Sequence, residues 1–89
     1  MSTRTVEIGS SVGLHARPAA LFVQAVNDTG LTITICKPGG APVPANSMLG
    51  VMALGAKNGE TVELSSDDAG ADAALDSLVE LLKRDLDAE

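Results

Sequence analysis

Three stretches of the chain alternate apolar and polar residues, and this alternation constrains the fold more than any other feature. In Thr3 to Gly9, Val6 and Ile8 fall on one side and Thr5 and Glu7 on the other. In Leu31 to Cys36, Leu31, Ile33 and Ile35 stand opposite Thr32, Thr34 and Cys36, and in Thr61 to Ser65, Val62 and Leu64 share a side. A strand with one apolar side needs one covering layer, so these segments predict a sheet protected on a single face.

Elsewhere the apolar spacing changes to three and four residues. Ala19, Phe22, Val23 and Val26 predict a helix from about Ala16 to Asn27 or Asp28, closed by Asp28-Thr29-Gly30. Ala71, Ala74, Leu75, Leu78, Leu82 and Leu86 predict a long terminal helix, capped by Ser66-Asp67-Asp68, with Asp72, Asp76, Glu80 and Asp85 as a solvated face. Pro38-Gly39-Gly40 reads as a turn from which Ala41 to Ala45 pairs back as a hairpin strand. Pro42 and Pro44 are two apart, so their missing N–H groups fall on the same side, which only a sheet edge tolerates. Asn46 to Gly55 reads as a short helix, capped by Asn46 or Ser47 and ended by Gly55. The order is strand, helix, strand, strand, helix, strand, helix. An antiparallel four-stranded sheet with three helices on one side, an α+β fold in a single domain over residues 1–89, satisfies it most economically.

Composition narrows the chemistry. One cysteine excludes an intrachain disulfide, and the absence of a CxxC or Cys/His cluster argues against structural zinc, so no metal or cofactor is expected. Only Lys37 adds positive charge beside Cys36, too little to favour a reactive thiolate. The opening residues lack the apolar core of a signal peptide and no later run reaches membrane-spanning length, which predicts a soluble cytoplasmic protein. A net charge of −6 argues against nucleic-acid binding. The charge is also uneven: through Gly59 four cations outnumber Glu7 and Asp28, whereas from Glu60 onward ten acids face only Lys83 and Arg84. The half with the only histidine is therefore mildly positive, an arrangement that orients encounters with a phosphate or an acidic partner.

That histidine, His15, stands where a small-residue loop, Gly9-Ser10-Ser11-Val12-Gly13, meets the first helix. His15 is expected at or near the N-cap, with Pro18 in the first turn, where a missing N–H removes a donor that has no intrahelical partner. Helix starts attract anions, and Arg17 adds a guanidinium close by. An imidazole, unpaired N–H groups and a guanidinium within one turn suit a phosphoryl group held on the ring; a surface histidine with no role fits the spacing equally. The short second helix adds a further sign. Val51 and Leu54 share one side of it and Met48, Leu49 and Met52 another, so one apolar cluster stays exposed as an adaptable binding surface unless the helix is buried all round.

In Gly13-Leu14-His15-Ala16-Arg17-Pro18-Ala19, in Ser47-Met48-Leu49-Gly50-Val51-Met52-Ala53-Leu54-Gly55 with the following Gly59, and in element order, the chain resembles HPr, the histidine-containing phosphocarrier family of the sugar phosphotransferase system. The resemblance covers nearly the whole chain and implies an open-faced β-sandwich with sheet order 1-4-2-3. It implies that His15 accepts a phosphoryl group from phosphorylated enzyme I, charged by phosphoenolpyruvate, and passes it to enzyme IIA domains of sugar permeases. The molecule would then be a monomeric carrier rather than an enzyme. Arg17 and the backbone N–H groups of Ala16 and Arg17 would cradle the phosphate. Ala16, Arg17, Ala20, Gln24, Ser47, Met48, Leu49 and Met52 would form the docking surface. Ser47 matches the serine that a kinase modifies in some members, making the carrier a corepressor for a catabolite regulator; Pro44-Ala45-Asn46 precedes it here, where many members carry an adjacent lysine. A nitrogen-branch paralogue and a regulatory binding module with an incidental His15 are the competing readings.

Overall fold

The computed structural model describes residues 2–9, 13–14 and 16–84. The elements follow the predicted order: β1 (Ser2–Glu7), α1 (Ala16–Thr29), β2 (Thr34–Cys36), β3 (Val43–Pro44), α2 (Met48–Ala53), β4 (Thr61–Ser66) and α3 (Ala71–Lys83). The four strands form one antiparallel sheet in the order β1-β4-β2-β3. Val6, Val62, Leu64 and Ile35 supply its buried side, and Phe22, Val26, Val51, Leu75 and Leu78 close the core from the helices. Phe22, the only aromatic residue, is wholly buried, which stabilises the fold by about 2–3 kcal/mol relative to exposure. No helix among the described residues is long and apolar enough to cross a membrane.

Pro44 stands at the sheet edge, but the hairpin strand predicted over Ala41 to Ala45 is confined to Val43–Pro44, because the chain turns at once toward α2, the Ser47 N–H donating to the Pro44 carbonyl at 3.2 Å. Ala45 donates its N–H to the Ile33 carbonyl at 2.9 Å. Successive residues of an extended chain point opposite ways, so the ring nitrogen of Pro44 turns away from β2, toward the open edge, while Pro42 lies just before the strand.

The structure corrects several expectations. The strand predicted over 31–36 is confined to Thr34–Cys36, because side chains occupy the Thr32 backbone: its N–H donates to the Asp68 carboxylate at 2.6 Å and its carbonyl accepts the Ser66 hydroxyl at 2.8 Å. The same residues were expected to cap the terminal helix. Instead Ser66 belongs to β4, its hydroxyl also accepting the Asp68 N–H at 3.2 Å, and α3 starts after Gly70, at φ 78°, without a side-chain cap. The acidic face of α3 is not purely solvated either. Arg4, on the core side of β1, donates from Nε to Asp76 at 2.8 Å and from a terminal nitrogen to Asp72 at 3.3 Å. At the other end of the chain, the strand predicted to run to Gly9 ends at Glu7, where Ile8 and Gly9 turn their N–H groups to Glu60 and Leu82. Leu86 and Asp85, assigned to α3 from spacing, lie outside the described residues.

The Arg4 cluster gives a pH dependence with a definite sign. A hydrogen bond from the Ser2 hydroxyl, together with the adjacent Arg4 guanidinium, holds the Asp72 carboxyl below the usual range, and Asp76 raises Arg4. A lowered carboxyl contributes stability that is present above its unfolded value and is lost as pH falls through its folded value. Arg4→Met, which keeps the apolar stem, should therefore melt below wild type at neutral pH, and the gap should close below about pH 4 and shrink in high salt. Thermal melts across pH check this; a gap unchanged at low pH would assign the difference to packing.

Candidate functional site

The segment leading to α1 is held at both ends by main-chain carbonyls. At its start, Gly9 donates its N–H to the Leu82 carbonyl at 2.8 Å, so close to the end of α3 that a Cβ on Gly9 would collide with the Lys83 carbonyl. At its other end, Leu14 donates its N–H to the Ala56 carbonyl at 2.8 Å and buries its side chain in the core. Gly13 is required there twice over. Its φ is +77°, and a Cβ would lie 2.5 Å from the Ala56 carbonyl oxygen and 2.9 Å from the Lys57 Cα.

His15 lies outside the described residues; the sequence places it between the anchored Leu14 and Ala16, the first residue of α1. Pro18 is buried in the first turn, as the spacing requires, and Arg17 is exposed beside it. The first turn of α1 carries no acid, and the Ala16 and Arg17 N–H groups have no intrahelical acceptor. A cavity of about 560 Å³ elsewhere, between the end of β1, Asn58-Gly59 and Val79 and Lys83 of α3, includes none of the predicted site residues.

Arg17, Ala20 and Gln24 are exposed on one side of α1, with the Gln24 amide donating to Asp28 at 3.0 Å. α2 packs against α1. Ser47, not Asn46, caps α2, its hydroxyl accepting the Gly50 N–H at 3.2 Å. The apolar surplus of α2 divides: Val51 is fully buried, Met48 and Met52 are half-buried against the core, and Leu49 is 85% exposed. Leu21, which sequence reasoning passed over, is also exposed. Its signal was available, since it falls off the Ala19-Phe22-Val23-Val26 stripe and shares a side with Arg17 and Gln24. The Ala56 carbonyl had no such signal, because a backbone acceptor is identical at every residue. Cys36 lies half-buried at the end of β2, where burial and then Glu63 push its thiol up, against thiolate chemistry. Among the described residues no cluster of His, Cys, Asp or Glu could hold a metal ion.

The family model for the "PTS HPr component phosphorylation site" matches residues 2–84. The chain belongs to the HPr family. It is 49% identical over 87 residues to the phosphocarrier protein HPr of Streptomyces coelicolor, covering 98% of this chain and 94% of that one. Among solved structures, an HPr from Thermoanaerobacter tengcongensis superposes with a TM-score of 0.85 at 40% identity, over 93% of this chain and 92% of that one. The HPr of Bacillus anthracis gives 0.84 at 34% identity, over 91% and 95%. As an HPr-family protein the chain is a phosphocarrier of the phosphotransferase system, one that carries its phosphoryl group on histidine.

Proposed function

We propose that His15 is the phosphoryl acceptor, that phosphorylated enzyme I is the donor, and that enzyme IIA domains of sugar permeases are the recipients, with the exchange taking place in the cytoplasm. One observation carries the assignment: a family that carries phosphohistidine is represented here by a chain with a single histidine, next to a helix start free of acidic residues. In each transfer a ring-nitrogen lone pair forms the N–P bond while the bond from phosphorus to the donor atom breaks in line. The reverse roles hold when the group moves on. Charge on the transferring oxygens is the main obstacle, and Arg17 with the Ala16 and Arg17 N–H groups is suited to balance it. An open site favours release as well as capture. Ala16, Ala20, Gln24, Ser47, Met48, Leu49 and Met52, with Leu21 added, form the surface that receives each partner in turn. Ser47 remains a candidate for regulatory phosphorylation, its modification altering that surface at the cap of α2.

Incubation with enzyme I and phosphoenolpyruvate is expected to add one phosphate per chain, labile in acid and stable in alkali, and a IIA domain is expected to remove it. A chain that stays unlabelled under these conditions would overturn the assignment.

A further inference from the structure

The loop from Ala56 to Glu60, between α2 and β4, holds both flanks of the 9–13 segment. Ile8 donates its N–H to the Glu60 carbonyl at 2.9 Å and accepts the Gly59 N–H at 2.9 Å, while Leu14 donates to Ala56. The loop is itself closed by one side chain. The Glu60 carboxylate accepts the Lys57 N–H on Oε1 at 2.8 Å and pairs through Oε2 with Lys37 of the β2–β3 hairpin at 3.3 Å, and the Glu60 N–H returns to the Lys57 carbonyl at 2.9 Å. Lys57 is the residue whose Cα, with the Ala56 carbonyl, forms the wall against Gly13.

We infer that Glu60 is a positioning residue for phosphoryl transfer: by fixing Lys57 and Ala56 it sets the Ala56 carbonyl that anchors Leu14, the residue before His15. This rests on His15 as the acceptor. The Lys57 N–H, and then Lys37, hold the Glu60 carboxyl below the usual range, so it is ionised and a full-strength acceptor at neutral pH. Among the described residues the hydrogen bonds and ion pair of Glu60 go to Ile8, Lys37 and Lys57, none of them a docking residue, so its effect should fall on the chemical step rather than on partner affinity.

The test measures kcat and KM of enzyme I with this chain as substrate, together with hydrogen exchange at the Leu14 amide. Glu60→Ala is expected to lower kcat about 10-fold with KM unchanged and to speed Leu14 exchange. Glu60→Gln, which keeps an oxygen for the Lys57 N–H, should restore most of kcat, and Lys37→Met should stay within about twofold of wild type because the carboxylate still holds Lys57. Glu60→Asp, one methylene short, carries the alanine expectation if alanine impairs folding. Wild-type kcat in Glu60→Ala, an effect on KM alone, a Gln variant as slow as alanine, or a Lys37→Met loss equal to it would each overturn the inference. A wild-type chain that takes no label defeats the acceptor reading first, and this inference with it.

Discussion

His15→Ala is expected to accept no measurable phosphoryl group from phosphorylated enzyme I, a loss of at least about 1,000-fold, while remaining folded. The chain has no second histidine to take over. Two other nucleophiles are poorly placed: Cys36 sits at the end of β2 with its thiol pushed up, and the Ser47 hydroxyl is committed to capping α2. Folding should survive because Leu14, Pro18 and Ala19, the buried residues around this position in sequence, are untouched. The measurement is labelling by enzyme I and phosphoenolpyruvate alongside a thermal melt. Undiminished labelling of the variant would move the acceptor to another residue.

Gly13→Ala should damage both stability and transfer. A non-glycine residue at φ +77° costs about 1–2 kcal/mol. The new methyl would also lie 2.5 Å from the Ala56 carbonyl oxygen, so the backbone must separate there and weaken the Leu14 N–H bond to the same oxygen, for about 1 kcal/mol more. A total of about 2–3 kcal/mol lowers the melting temperature by roughly 10–20 °C in a domain of this size. Displacement of Leu14 by even about 1 Å is expected to slow phosphoryl acceptance by up to about 100-fold. Gly39→Ala is the control. Gly39 has φ +79°, yet nothing lies within 4 Å of the place its methyl would take, so only the backbone cost applies and transfer should be unchanged. Equal losses in the two variants would mean that the wall formed by Ala56 and Lys57 has no role in the site.

Residues whose role follows from local spacing were legible in the sequence. Val6 and Ile8, Val62 and Leu64, and the stripe of α1 each repeat with the period of their element, and Pro44 marked its own strand as an edge. Residues whose role depends on a distant partner were not. Ser66 and Asp68 carry the signature of a helix cap, and only the approach of Thr32, 34 residues away from Ser66 in sequence, turns them to the sheet instead. Arg4 reads as an ordinary polar strand residue until α3 returns across β1 and brings Asp76 within 2.8 Å. At the proposed site, the composition of Gly13 to Pro18 singles out the histidine and the arginine as candidates. The scaffold behind them is made of carbonyls and of Glu60, whose carboxylate gains significance only where the loop from Ala56 closes on itself.

The proline of β3 has a consequence beyond sheet order. An exposed strand is an open template for growth. With the nitrogen of Pro44 turned outward, this border offers a carbonyl but no donor at that position, so an arriving strand finds a rung of the ladder missing. One imino acid thus acts as a stop codon for the sheet, written in stereochemistry rather than in charge.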